Sequence, residues 1–207
     1  MEILSKYFRT FIFLALLTTT SFAQDYSKQI KAFQESYLQE AAGEIQKSVD
    51  VLKDIYDENS YEINLRLGWL SYQLGLFSES MAYYSKAIIL KPLSIEAKFG
   101  YVYPASAAGN WNHTIKQYKD ILEICPNNSV ANHRLGLIYY GREEYSVAYK
   151  YFEKVVNLFP FDYDALIMFG WTNYKLHRVR EARILFQKAL LHTPGGSSAI
   201  EGLEQIK

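Results

Sequence analysis

The sequence predicts an all-α fold, a solenoid of antiparallel helix pairs, from three observations. Four of the five prolines recur at one constant interval, at Pro92, Pro126, Pro160 and Pro194. A glycine column keeps the same interval, with one valine in it, at Gly68, Val102, Gly136 and Gly170. Apolar residues recur at helical spacing between these positions, as in Tyr84, Ala87 and Ile88. This constant interval, called the proline period below, is typical of repeat architectures, in which each unit packs on the next.

Each repeated column has a physical reason. Proline lacks the amide donor and disfavours helix in the residue before it, so the proline column ends the second helix of each pair. Glycine lets the first helix approach the second closely. The opposing column is small: Ser80, Thr114, Ala148 and Ala182. An aromatic column, predicted to fill the space between neighbouring pairs, contains Tyr84, Tyr118, Phe152 and Phe186.

The N-terminal segment predicts a secretory signal peptide over residues 1–23. Lys6 and Arg9 precede an apolar run at 11–17, and Ser21 and Ala23 supply small residues before a cut between Ala23 and Gln24. The run is shorter than the roughly 20 residues that span a bilayer, although an uncleaved anchor is the alternative. We therefore expect an exported chain, periplasmic or secreted, with no membrane span after cleavage.

Composition and motifs argue against several functional classes. The 22 Lys and Arg residues balance the 22 Asp and Glu residues, whereas nucleic-acid binding needs an excess of cations. The single cysteine, Cys125, cannot form an internal disulfide. The four histidines are scattered and no nucleotide, hydrolase or metal motif is present. The sequence thus predicts no enzyme activity, no cofactor, no metal site and no nucleic-acid partner.

One segment carries the closest match to a known repeat. It contains, in order, Leu67, Gly68, Tyr72, Gly75, Phe77, Ser80, Tyr84, Ala87 and Pro92. This pattern resembles the tetratricopeptide repeat. Four units fit in register, at 61–94, 95–128, 129–162 and 163–196. The resemblance implies a right-handed superhelical solenoid that serves as a scaffold for protein partners.

The two ends are expected to be atypical. Residues 24–60 contain two apolar helical stripes around Gly43, which resemble a degenerate first repeat at 27–60. Residues 197–207 predict a capping helix. In it, Ser198 and Glu201 would form a capping box. Three apolar residues would face the last repeat: Ile200, Leu203 and Ile206.

The resemblance also implies a concave groove, lined by the second, fifth, ninth and twelfth positions of each unit. The predicted groove residues are Leu65, Trp69, Tyr72, Phe99, Tyr103, His133, Leu137, Tyr140, Ile167, Trp171 and Tyr174, with Ser106 completing the twelfth column. The second column supplies rim carboxylates at Glu62, Glu96 and Asp164, and an apolar residue at Val130.

This aromatic groove predicts binding of a protein or peptide segment, since Tyr and Trp bury much area at low entropic cost. A glycan would also suit stacked rings beside carboxylates. Two structural alternatives remain open: the rings are buried inside a tightly curved array, or the N-terminal helix fills the groove. The rim acids have their own simpler explanation, because a carboxylate in a first helical turn complements the helix dipole.

Pro104 departs from the repeat. It falls within the first helix of the unit 95–128, where its ring would clash with the carbonyl of Gly100. The sequence predicts a kink that reshapes the groove beside Tyr103, with a tolerated deviation from the repeat as the alternative.

Overall fold

The computed structural model describes residues 26–206. The predicted signal peptide and its cleavage point lie outside this range. Within it the chain forms eleven α-helices and no strand, which confirms the all-α prediction. The helices are α1 (26–41), α2 (Ile45–Lys53), α3 (Tyr61–Gln73), α4 (Phe77–Leu90), α5 (Ile95–Ala107), α6 (Trp111–Ile124), α7 (Ser129–Gly141), α8 (Tyr145–Leu158), α9 (Tyr163–Lys175), α10 (Val179–His192) and α11 (Ser197–Gln205).

The helices follow the proline period. The first helix of each full repeat (α3, α5, α7, α9) has 13 residues, and the second (α4, α6, α8, α10) has 14. The chain divides into two compact units between Pro92 and Leu93. The N-terminal unit contains α1 to α4, and the C-terminal unit contains α5 to α11. No helix of the described residues is long and apolar enough to cross a membrane.

The glycine column marks the closest approach of the two helices in a repeat, as predicted. A Cβ added to Gly68 would lie 2.9 Å from the Tyr84 ring, and one added to Gly136 would lie 2.6 Å from the Phe152 ring. The small column supports the same contact, because Ser80 Oγ donates to the Gly68 carbonyl at 2.6 Å. In the three repeats that have this glycine, the aromatic ring therefore lies over it, closer to the partner helix than the sequence suggested.

Backbone chemistry defines both ends of each repeat. Every first helix begins after a side chain that accepts a hydrogen bond from the backbone N–H three residues later, in turn Ser60, Ser94, Asn128 and Asp162. Every second helix is followed by a C-cap residue that directly precedes the repeated proline and has an extended φ: Lys91 (−131°), Cys125 (−136°), Phe159 (−127°) and Thr193 (−128°). The proline column thus ends the second helices as predicted.

The first two helices form another hairpin of the same kind. Ser48 Oγ donates to the Ser36 carbonyl at 2.7 Å, just as Ser80 Oγ donates to Gly68. Gly43 turns the chain with a φ of 80°, as Gly75 does with 74°. The two hairpins therefore match position by position. The interval from Gly43 to Gly75 is also the interval from each position in α1 to its counterpart in α3.

The structure bears on two further local predictions. Helix α5 continues through Pro104 and keeps the 13 residues of its counterparts, so proline does not end it; the kink itself stays a prediction. The capping box in α11 is wrong, because its N-cap is Gly196 and no side chain caps the helix. Ile206 is buried against the last repeat, but Ile200 is 41% exposed, because it lies on the outer side of the helix.

Candidate functional site

In the N-terminal unit, the groove columns lie on one face of α3. Trp69 is 37% exposed and its ring lies 5.8 Å from that of Tyr72, while Leu65 is half-buried. The Trp69 indole is also held in place, because Nε1 donates to Glu40 Oε1 at 2.8 Å. The ring therefore combines a fixed orientation with exposed area.

Helix α1 adds site residues that the sequence analysis did not single out. The interval from Gly43 to Gly75 also separates three residues of α1 from groove columns of α3. Ile30 corresponds to Glu62, Phe33 to Leu65 and Tyr37 to Trp69, so the three residues occupy the second, fifth and ninth columns of the first hairpin. They line an open pocket of about 360 Å³, whose full lining is Tyr26, Gln29, Ile30, Phe33, Gln34, Tyr37 and Glu62. The shared turn position of Gly43 and Gly75 was the signal that could have identified them.

Glu40 joins α1 to α3 beside this pocket. It forms an ion pair with Arg66, whose Nη2 lies 2.5 Å from Glu40 Oε2, and it also accepts a hydrogen bond from Gln73. Burial alone raises the pKa of Glu40. The hydrogen bonds from Arg66, Trp69 and Gln73 outweigh it, so the pKa lies below its ordinary value. The carboxylate stays charged and fixes the aromatic face.

Glu62 is the predicted rim acid of this unit. Its carboxylate lies 3.1 Å from Lys91 Nζ, and both side chains are more than half exposed. Burial raises the pKa of Glu62, but the hydrogen bonds from its own backbone N–H and from Lys91 outweigh this effect. The pKa of Glu62 therefore lies below its ordinary value. The contact with its own backbone N–H agrees with the helix-dipole explanation, yet the same carboxylate also lines the pocket.

In the C-terminal unit, α5 presents the most exposed groove ring. Tyr103 is 52% exposed. Phe99 is half-buried, with its ring 6.2 Å from Tyr118 in α6. Ser106 is half-buried and hydrogen-bonds to Thr114 at 3.3 Å. Among the groove residues of this helix, Tyr103 is therefore the one that a partner reaches most readily.

Helix α7 contributes half-buried residues. Tyr140 packs its ring 5.3 Å from Tyr145, and Leu137 packs against the core of the unit. His133 packs edge-on against Phe152 at 5.7 Å, and its buried Nε2 makes no hydrogen bond within the protein. Burial, followed by the charge of Arg134, lowers the pKa of His133, so the imidazole is neutral at physiological pH.

Helix α9 corrects part of the groove prediction. Ile167 is only 7% exposed and belongs to the core, because the C-terminal helices pack around it. Trp171 is half-buried: its ring lies 5.1 Å from Phe186, and Nε1 donates to Ser198 Oγ in α11 at 2.8 Å. Tyr174 is half-buried beside it, at 5.8 Å between ring centroids. The structure therefore leaves less of α9 accessible than of α3 or α5.

The remaining rim positions are exposed first-turn residues. Glu96 and Asp164 both lie in the first turn of their helices. Val130, the apolar member of this column, is 53% exposed. Among the described residues, no group of three His, Cys, Asp or Glu side chains is placed to hold a metal ion.

Comparison with known proteins identifies the repeat. The family model for the tetratricopeptide repeat matches residues 61–92 and 130–162. No curated protein sequence matches the chain. Among solved structures, the chain is similar to the MamA protein, with a TM-score of 0.70, 20% identity, and 80% of this chain and 91% of that chain covered.

Two further solved structures share the fold. A tetratricopeptide repeat protein from Parabacteroides merdae has a TM-score of 0.74 at 17% identity, over 87% of this chain and 72% of that one. YrrB, described as a tetratricopeptide repeat protein with an unusual peptide-binding site, has a TM-score of 0.68 at 14% identity, over 84% and 90%. At these identities the similarity concerns the fold. The family match, together with the repeated helix pairs, shows that this chain contains tetratricopeptide repeats.

Proposed function

We propose that this chain is an exported scaffold that holds a protein or peptide segment against its first helices. A tetratricopeptide fold is that of a protein–protein interaction scaffold. The finer proposal is supported by the aromatic residues at the groove columns of both units.

One observation carries the proposal: Trp69 and Tyr103, both in the ninth column, are 37% and 52% exposed. Tyr and Trp rings that are accessible on a rigid helix face are typical hot spots of protein recognition. Their helices are held by capped ends and close interhelical contacts, so little entropy is lost when a partner binds. YrrB, which has a similar fold, is described as having a peptide-binding site.

Site-specific photo-crosslinking tests the location of the binding surface. We would place a photoreactive phenylalanine analogue at Tyr103 or, as a matched control, at Ile184. Ile184 lies on a second helix of the same unit and is 57% exposed, so accessibility is comparable. In an extract of the native envelope, the Tyr103 position should give discrete crosslinked proteins that the Ile184 position does not. Equal crosslinking from both positions contradicts the proposal.

Short oligosaccharides separate a protein partner from a glycan. If the aromatic face holds a protein segment, saturating oligosaccharide leaves the Tyr103 crosslinks unchanged. Loss of the crosslinks together with saturable oligosaccharide binding favours a glycan-binding module.

Export is tested separately. Mass spectrometry of the processed chain should give an N-terminus at Gln24, and a retained N-terminal segment in the membrane fraction contradicts export.

A further inference from the structure

The pocket on α1 has a chemistry of its own. Its lining includes three aromatic rings, from Tyr26, Phe33 and Tyr37, and one carboxylate, from Glu62. Two side-chain amides, from Gln29 and Gln34, complete its polar part. A volume of about 360 Å³ lies within the range of pockets that hold small ligands or single side chains. Aromatic faces combined with a carboxylate are the partners that an organic cation prefers.

The N-terminal unit already binds its own cations in this manner. In three places a cationic side chain lies over a tyrosine ring and beside a glutamate. The sets are Arg66 with Tyr37 and Glu40, Lys91 with Tyr61 and Glu62, and Lys86 with Tyr56 and Glu58. The closest is the Arg66 guanidinium, 3.9 Å from the centre of the Tyr37 ring. The pocket contains the same two kinds of group, with Arg66 already on one face of the Tyr37 ring and Lys91 paired with Glu62.

We propose that the α1 pocket binds an arginine side chain of a partner peptide, an inference that rests on the proposed function and specifies its partner. The guanidinium lies among the rings of Tyr26, Phe33 and Tyr37, where a planar, weakly hydrated cation is favoured over an ammonium. Glu62 neutralises its charge, and the amide oxygens of Gln29 and Gln34 accept its remaining N–H groups. Apolar neighbours in the peptide contact Ile30, which is 53% exposed.

Lys91 does not block this use of Glu62. Its Nζ lies 3.1 Å from Glu62 Oε1, and both side chains are exposed, at 54% for Lys91 and 57% for Glu62. Exposed ion pairs contribute little to stability. A bidentate guanidinium can therefore displace or share this contact, since it forms two parallel hydrogen bonds where an ammonium forms one.

Two peptides of equal shape test the inference on the purified chain. They are Ac-Ala-Leu-Arg-Leu-Ala-NH2 and the same peptide with neutral citrulline in place of arginine. Isothermal titration calorimetry should show the arginine peptide binding about tenfold more tightly than the citrulline peptide, because the positive charge contributes both to the rings and to the carboxylate. The side-chain amide resonances of Gln29 and Gln34 should shift only with the arginine peptide.

Three variants locate the effect. Glu62→Gln should reduce the preference for arginine over citrulline severalfold, to the part that the aromatic rings contribute, whereas Glu96→Gln, at the same position one repeat later, should leave it intact. Tyr26→Leu changes an exposed ring and should weaken arginine binding about threefold to tenfold. Circular dichroism of each variant excludes unfolding as the cause.

Three outcomes overturn the inference: no arginine-peptide binding at millimolar concentration, equal affinity for both peptides, or equal effects of Glu62→Gln and Glu96→Gln. None of these affects the crosslinks expected at Tyr103, which lies in the other unit. The proposed function can therefore hold even if this inference fails. The Tyr103 crosslinks show separately whether the proposed function itself fails.

Discussion

The substitution Gly136→Ala tests the helix contact that builds each repeat. A Cβ on Gly136 would lie 2.6 Å from Cε1 of Phe152 and 2.8 Å from both Cδ1 and Cζ. Phe152 is fully buried, so its ring has little room to yield. Such overpacking costs about 1–3 kcal/mol. Alanine also gains up to about 1 kcal/mol of helix propensity over glycine, so the net loss of unfolding free energy is about 0–2 kcal/mol.

Gly141→Ala is the matched control for propensity. Gly141 ends the same helix, and nothing lies within 4 Å of an added Cβ. The difference between the two alanine variants therefore isolates the steric term of about 1–3 kcal/mol. At about 2–4 °C per kcal/mol for a chain of this size, Gly136→Ala should melt several degrees below Gly141→Ala.

A double-mutant cycle then assigns the effect to the ring. In a Phe152→Leu background the ring edge is absent, so Gly136→Ala should be tolerated better, with a coupling energy of about 0.5–3 kcal/mol. Thermal and urea unfolding, followed by circular dichroism, measure all four proteins. If Gly136→Ala melts at or above Gly141→Ala, or if the cycle shows no coupling, the close contact is not the determinant of the repeat.

Three other perturbations have distinct expected results. Glu143 has a φ of 63° in a turn where the first two full repeats use Gly75 and Gly109 and the last uses His177, so Glu143→Gly should raise Tm by about 1–3 °C, because the left-handed conformation costs about 1–2 kcal/mol and glycine returns part of this as unfolded-state entropy; a lower Tm contradicts it. The lowered pKa of Glu40 contributes stability above the ordinary value of 4.5 that is lost as pH falls through the folded value. A Glu40→Gln variant should therefore lose about 1–2 kcal/mol at pH 7, with solvent screening of the carboxylate allowed for, and less at pH 3; a constant difference in urea unfolding between these pH values would count against the role of the carboxylate. Trp171→Ala should cost about 3 kcal/mol or more of stability, and Trp69→Ala clearly less, because Trp171 packs on Phe186 and bonds to α11; equal melting temperatures for the two variants would show that Trp69 also belongs to the core.

The pairing of the helices was predictable from the sequence, because its determinants act through the local backbone. Proline at Pro92 and its counterparts ends a helix wherever it occurs, since it removes a donor and restricts the preceding residue. Glycine at Gly68 admits an aromatic ring that no larger residue would admit. Repetition of both signals at the proline period makes these weak local preferences unambiguous.

The accessible part of the candidate site was decided by the tertiary structure. His133 and Ile167 occupy the same column, yet only Ile167 is buried, because it packs into the cluster that the terminal helix α11 closes. Trp69 and Trp171 also share a column, yet one bonds to Glu40 and the other to Ser198. These differences come from residues of other helices, which a periodic pattern does not specify.

The pocket on α1 shows the same division between sequence and structure. Residues 24–60 were predicted as a degenerate repeat, but their register is shifted from the proline period, so the groove positions of Ile30, Phe33 and Tyr37 were not assigned, although the turn at Gly43 carried the signal for them. The Ser36–Ser48 contact establishes that register, because two helices can cross closely only where both side chains are small. The sequence by itself thus determined the helix pairs and their period, whereas tertiary packing decided which aromatic residues a partner can reach.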